Sequence, residues 1–90
     1  MAEGLTAVRS ALATEFGQAV IHEQWSASSQ ETHLAFSSEG RDFRVWVTKE
    51  YDDDYASGQL RVDLRSLGRV LRGTSSGAVR ISTKGIQGIA

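Results

Sequence analysis

The sequence has no cysteine and no proline. Without cysteine the chain can form neither a disulfide nor a thiolate-ligated zinc or iron–sulfur site, and this absence fits a reducing compartment. Without proline, its chain reversals depend on glycine, serine and aspartate. Long apolar runs are also missing, and charges at Glu3, Arg9 and Glu15 interrupt the N-terminal segment. We therefore expect a cytoplasmic protein with neither a signal peptide nor a membrane span.

The composition of the 90 residues is that of an ordinary globular domain, with 40% hydrophobic and 23% charged residues. We expect residues 1–84 to form a single domain, because a chain of this length builds only one core. The net charge of −1 hides an asymmetry. Residues 1–60 contain 4 Lys/Arg and 10 Asp/Glu, whereas residues 61–90 contain 6 Lys/Arg and 1 Asp. Such an asymmetry indicates either a nucleic-acid patch or a fold that neutralises its own charge.

The first half of the chain predicts one helix followed by three strands. Apolar residues recur at helical spacing at Leu5, Val8, Leu12 and Phe16. They predict a helix over residues 4–16, which Gly17 ends as a left-handed cap. Residues 18–25 lose this period and are rich in β-forming residues, so they predict a strand. Alternation over residues 32–36 and 43–47, around an SSEGRD turn, predicts a hairpin and completes an antiparallel meander.

The second half has a more ambiguous periodicity. Residues 49–58 are expected to form a polar, acidic connection. Leucines then recur at helical spacing at Leu60, Leu64, Leu67 and Leu71, with arginines on the opposite side. This pattern predicts a helix over residues 58–72 that ends at Gly73. Because Leu60, Val62 and Leu64 also alternate, a strand over residues 59–64 stays open as an alternative.

The C-terminal residues complete the predicted fold. Residues 78–82 predict a fourth short strand, and residues 85–90 are expected to form a flexible tail. The element order is therefore α-β-β-β-α-β. We predict an α+β fold in which an antiparallel sheet of three to four strands carries two helices packed on one face.

The turn positions predict which residues share a face of this sheet. If the turns centre near Ser28 and between Glu39 and Gly40, Leu34 lies opposite His22. The face expected to carry the helices and the core then contains Val20, Leu34, Phe36, Phe43, Val45 and Val47.

The opposite face is the candidate binding surface. The same register places Glu23 opposite His33, and its candidate contact residues are Trp25, His33, Arg44 and Trp46. This set is too polar for a second core and too aromatic for a plain solvated surface. Because His22 is expected on the core face, it cannot easily share a metal or form a catalytic pair with His33. We predict a non-enzymatic module, without a cofactor, that binds a protein partner or a second copy through this face.

Three alternatives stay open. The tail could instead fold across the tryptophans through Ile86 and Ile89. The arginine row at Arg61, Arg65, Arg69 and Arg72 could contact successive phosphates, which would make the chain a nucleic-acid-binding domain. The carboxylates of Glu50, Asp52, Asp53 and Asp54 could bind Ca²⁺ or Mg²⁺. The sequence does not follow the EF-hand order, however, because Leu64 stands where the bidentate glutamate belongs, so we expect a solvated acidic loop and no metal.

Overall fold

The computed structural model describes residues 3–17, 20–56, 58 and 64–89. Its helices are α1 (Glu3–Phe16), α2 (Lys49–Ala56) and α3 (Leu67–Gly73), the last preceded by a 3₁₀ turn (Leu64–Ser66). Its strands are β1 (His22–Ser26), β2 (Glu31–Ser38), β3 (Arg41–Thr48), β4 (Ala78–Ser82) and β5 (Gly85–Ile89). No helix among these residues is long and apolar enough to cross a membrane.

The five strands form one mixed sheet in the order β1-β2-β3-β4-β5. Three of the four pairings are antiparallel, whereas β3 and β4 are parallel. The parallel pair follows from the chain path, because α2 and α3 lie between the two strands and form the crossover that parallel strands require. The predicted α+β class is confirmed. The predicted sheet differs in detail, since a fifth strand, one parallel pair and a third helix are present in the described parts of the chain.

The core lies between the helices and one face of the sheet, which we call the helix-covered face. Helix α1 buries its apolar row, and Gly17 ends it with a positive φ of 66°, as the sequence predicts. The Phe16 ring lies 4.9 Å from that of Phe36 and 5.1 Å from that of Phe43. The buried sheet residues of this face are Leu34, Phe36, Phe43, Val45, Val47, Val79 and Ile81.

The β2–β3 hairpin has the predicted register. Its two-residue turn, Glu39 and Gly40, has positive φ angles of 57° and 74°, which is the conformation that matches the twist of paired strands. Phe36 consequently pairs with Phe43, as predicted.

Strand β1 is offset by one residue from the predicted register. The chain reverses through residues 27–30, so that Ser26 pairs with Glu31 and Glu23 pairs with Leu34. A shift of one residue moves every side chain of a strand to the other face. The predicted core position of Val20 is therefore wrong, and its side chain is 72% exposed.

The segment predicted as an acidic loop forms helix α2. The hydroxyl of Thr48 accepts a hydrogen bond from the Tyr51 N–H (3.2 Å), which caps the first turn. Asp52 accepts one from the Leu5 N–H (3.0 Å) at the start of α1, and Lys49 pairs with Asp53. Tyr51 is fully buried, and this burial, with Tyr55 and Asp52 nearby, raises its pKa to about 12. Asp52 and Asp53 therefore have structural roles that the loop prediction missed.

Helix α3 matches the second half of the predicted 58–72 helix. Leu67 and Leu71 are buried, and the helix ends at Gly73 as expected. Close packing of α3 against α1 explains the glycine at position 68 inside this helix. A Cβ there would lie 2.1 Å from Cγ of Glu15 on α1. The choice between strand and helix over residues 59–63 lies outside the described residues.

Strand β4 has the predicted bounds, but the tail predicted to be flexible forms strand β5. Because β5 lies beside β4 at the far edge from β1, it does not fold across either tryptophan, and that alternative is wrong. Gly77, with a positive φ of 66°, leads into β4 and accepts a hydrogen bond from the Arg44 N–H (2.9 Å).

Candidate interaction surface on the open face of the sheet

The described helices cover one face of the sheet, and the other face, which we call the open face, carries the candidate site. The strand registers place side chains from all five strands on it, from β1 at one edge to β5 at the other. They include His22, Gln24, Glu31, His33, Ala35, Asp42, Arg44, Trp46, Arg80 and Gln87. Most of them are polar, and several are half-buried or exposed.

An aromatic stack lies near the centre of the open face. The rings of His33 and Trp46, which are direct cross-strand partners, lie 4.6 Å apart at an angle of 22°. Both side chains are half-buried, and the buried Nε2 atom of His33 forms no hydrogen bond with any described residue. Burial, helped by the charge on Arg44, lowers the pKa of His33. The neutral imidazole is therefore the form that this position favours.

An ion pair lies next to the stack, on the side of Trp46 that faces β4. Arg80 on β4 is the neighbour of Trp46, and its Nε atom lies 2.8 Å from Oε2 of Glu31 on β2. The guanidinium thus reaches across β3. Glu31 is the buried charged residue of the described chain, at 8% exposure, and Arg80 supplies the hydrogen bond that its carboxylate needs.

A groove of about 510 Å³ lies beside the stack, toward the β2–β3 turn. It is lined by Val20, His22, Ala35, Phe36, Ser37, Asp42, Phe43 and Arg44. Across the strands, Ala35 lies between His22 on β1 and Arg44 on β3, so the smallest of the three side chains is in the middle. At one end, the Ser37 hydroxyl donates to the Asp42 carboxylate (2.6 Å). The groove therefore has an apolar floor and polar walls.

The structure brings together three of the four predicted contact residues and separates the fourth. His33, Arg44 and Trp46 share the open face, as predicted. Trp25 pairs with Thr32, which places it on the side of the helices, where it is 51% exposed. The prediction that the two tryptophans share a face is therefore wrong, for the same reason as the β1 register.

The same register change brings His22 to the site, a residue that the sequence reasoning missed. His22 pairs with Ala35 and lies on the same face as His33, whereas the prediction placed the two histidines on opposite faces. Glu23, predicted to face His33, pairs instead with Leu34 and forms an ion pair with Arg9 of α1 (3.0 Å). No local pattern identifies this, because the turn after Ser26 permits two registers a residue apart.

The predicted arginine row does not form a free basic surface. Arg72 pairs with both Glu15 and Glu39, and its guanidinium lies 4.7 Å from the centre of the Phe16 ring. These hydrogen bonds raise the pKa of Arg72 and lower that of Glu39. Arg65 and Arg69 are exposed, and Arg61 lies outside the described residues. One arginine of the predicted row, Arg72, therefore belongs to an internal network of ion pairs.

Arg41 has a comparable structural role. It donates hydrogen bonds to the carbonyl groups of Arg72 (3.0 Å) and Thr74 (2.9 Å), where α3 ends. Its guanidinium also lies 5.0 Å from the centre of the Phe43 ring. Arg44, by contrast, is exposed and forms no ion pair with the residues that the structure describes. It is the basic group of the open face that is available to a partner.

Two further observations bear on chemistry. Within the described ranges, no three His, Asp or Glu side chains are grouped closely enough to hold a metal ion. A second groove, of about 390 Å³, lies between α1 and α3 and is lined by Ala11, Thr14, Glu15, Leu64, Arg65 and Gly68. It contains neither histidine nor an unpaired carboxylate.

Comparisons with known proteins give no further guide. No protein family model matches the sequence, and neither a curated protein nor a solved structure matches it. The functional argument therefore depends on the geometry of the open face.

Proposed function

We propose that the chain is a non-enzymatic interaction domain that binds a protein partner through the open face, with Trp46 as its anchor. The observation that carries this proposal is the stack of His33 on Trp46 beside a groove of about 510 Å³, on the face that the described helices leave uncovered. Interfaces draw most of their affinity from a few aromatic and arginine side chains near their centre. Trp46 and Arg44 supply one of each.

The stack reduces the entropic cost of binding. A tryptophan held against a neighbouring ring has already lost much of its rotational freedom, so less entropy is lost when a partner covers it. The Glu31–Arg80 pair restricts its other side. A partner that desolvates Trp46 then meets a surface that is already ordered.

The charges on the groove favour an acidic group in the partner. Arg44 and His22 flank the groove across Ala35, and Arg44 has no ion pair of its own in the described chain. A carboxylate placed between them could accept hydrogen bonds from the guanidinium. An apolar group beside it would cover Ala35 and the exposed Val20. We therefore propose that the bound segment combines an acidic residue with an apolar one.

The test uses peptides selected from a random-peptide display library against the folded wild-type domain. Their affinities are measured by fluorescence anisotropy for wild type, Trp46→Ala and Trp25→Ala, after circular dichroism confirms that each variant is folded. Trp25 is the matched control, because it is an exposed tryptophan on the other face. We expect Trp46→Ala to weaken binding at least tenfold, or about 1.4 kcal/mol, and Trp25→Ala to have little effect.

A second pair of variants tests the charge. Arg44→Ala should weaken the selected peptides that contain an acidic residue, whereas Arg69→Ala, on helix α3, should not. Peptides that depend on Trp25 or Arg69 instead would contradict the proposal. Binding of single-stranded DNA that falls steeply with salt and requires Arg65 and Arg69 would favour a nucleic-acid-binding function in its place.

A further inference from the structure

The two edges of the sheet differ in how they are protected from pairing with another chain. Sheet edges usually carry charges, proline or bulges, because their free backbone groups otherwise pair with a second strand. Edge strand β1 contains Glu23, which is held by Arg9, and the bulky Trp25. Edge strand β5 has the sequence GIQGI, with no charged residue and no proline. Among the described residues, no strand pairs with its outer side, and β5 carries none of the usual protecting residues.

The sequence of β5 is complementary to itself in the antiparallel direction. If two copies pair around Gln87, each Gly85 lies opposite Ile89 of the second copy, and each Ile86 lies opposite Gly88. Each isoleucine then faces a glycine, and beside Gly88 the Thr74 hydroxyl lies 2.9 Å from where a Cβ would be. The space beside Gly85 is empty, since no atom lies within 4 Å of where its Cβ would be. The only like pair is Gln87 with its own counterpart, whose amides can bond to each other.

We propose that β5 pairs antiparallel with β5 of a second copy, around a two-fold axis that passes through Gln87. The occupant of this edge is thus another molecule of the same chain. Antiparallel pairing with in-plane strands requires an axis perpendicular to the sheet. The two sheets then continue as one ten-stranded sheet, with all helices on one side. Both open faces lie on the other side, where one bivalent partner could reach them.

The size of the contact sets its strength. A ladder of five residues per copy buries much less than the roughly 1,200–2,000 Å² of a stable interface. The dimer is therefore weak, and its population depends on concentration in the micromolar to millimolar range. A partner with two binding segments would favour it through avidity.

The test is the sedimentation mass of the full chain over a concentration series that reaches about 1 mM, a range in which such weak pairing is populated. We expect the wild type to shift from monomer to dimer. Gln87→Lys and Gln87→Glu each place like charges opposite each other, and each should stay monomeric alone. An equimolar mixture of the two should recover the dimer. Gln87 is exposed, so neither change disturbs the core.

Controls separate this edge from the open face. Gln24→Lys changes an exposed glutamine on the other edge strand and should leave the dimer intact. A wild type that stays monomeric at the highest concentration overturns the proposal, as does a mixture of the two Gln87 variants that stays monomeric. Loss of the dimer in Trp46→Ala but not in Gln87→Lys would assign the contact to the open face instead. A wild type that stays monomeric but binds the selected peptides through Trp46 would overturn this inference without affecting the proposed function.

Discussion

The two faces of this sheet are built from the same strands, yet they are stabilised in different ways. On the helix-covered face, Phe43 and Val45 are fully buried in the hydrophobic core. On the open face, Arg44 and Trp46, which alternate with them along β3, contact polar neighbours or solvent. Burial of apolar area is non-directional and is the dominant favourable contribution to folding, so the helix-covered face determines the fold. The second face depends on individual cross-strand pairs, such as His33 with Trp46.

The largest difference between the faces is expected at two consecutive residues. Phe43→Ala should cost about 3–5 kcal/mol, because it leaves a cavity among Phe16 and Phe36. That loss is close to the whole stability of an ordinary small domain. Urea unfolding followed by circular dichroism should show a variant that is largely unfolded in buffer.

The matched control is Arg44→Ala, the next residue on the same strand. Its side chain is exposed and forms no ion pair with the described residues, so the unfolding free energy should change by about 0.5 kcal/mol or less. Equal losses for the two variants would mean that the faces do not differ as the structure indicates.

A smaller loss is expected where the open face contains a buried charge. Arg80→Met removes the partner of Glu31 and should cost about 1–2 kcal/mol, since a nearly buried carboxylate loses its hydrogen bond. The double variant Glu31→Gln with Arg80→Met should recover part of this loss in urea unfolding, because no unpaired charge is left. A double variant less stable than Arg80→Met would show that Glu31 has another partner.

The smallest effect is a pH dependence that belongs to the open face. The pKa of His33 is lowered from 6.5, so the unfolded chain binds a proton at a higher pH than the folded chain. The contribution of neutral His33 to the free energy of unfolding is complete above pH 6.5. It is lost as the pH falls toward the lower pKa of the folded state. The charged neighbours on this face are Arg44 and the Glu31–Arg80 pair.

The measurement compares urea midpoints at about pH 7.5 and pH 5.5, on either side of the ordinary histidine pKa. The wild type should lose more stability on acidification than His33→Gln. The same loss in both proteins would assign the pH dependence to other groups.

The difference between the two faces also explains which parts of the molecule were predictable from sequence. The β2–β3 register followed from a two-residue turn, since a short turn allows one pairing. From that register came the shared face of His33, Arg44 and Trp46. The β1–β2 loop permits two registers a residue apart. The alternation of β1 does not distinguish them, because its side chains are nearly all exposed.

The other differences have a tertiary origin. Helix α2 has four acidic residues in a short segment, and its stability depends on the Thr48 cap and on Asp52 at the start of α1, a contact between distant residues. Strand β5 contains two glycines, which usually weaken a strand, but β4 supplies the pairing that fixes it. Neither contact is visible in a local pattern.

The parallel pairing of β3 with β4 has a consequence for the order of folding. The β1–β2–β3 meander pairs through short turns. Strand β4 can pair with β3 only after the crossover between Thr48 and Ala78 has formed. Closing that loop costs entropy before the ladder is gained, so β4 and β5 complete the sheet late. Elements that form late are also the first to open in the native state. Amide hydrogens of β5 should therefore exchange faster than those of β2 and β3, and pairing with a second copy would slow them.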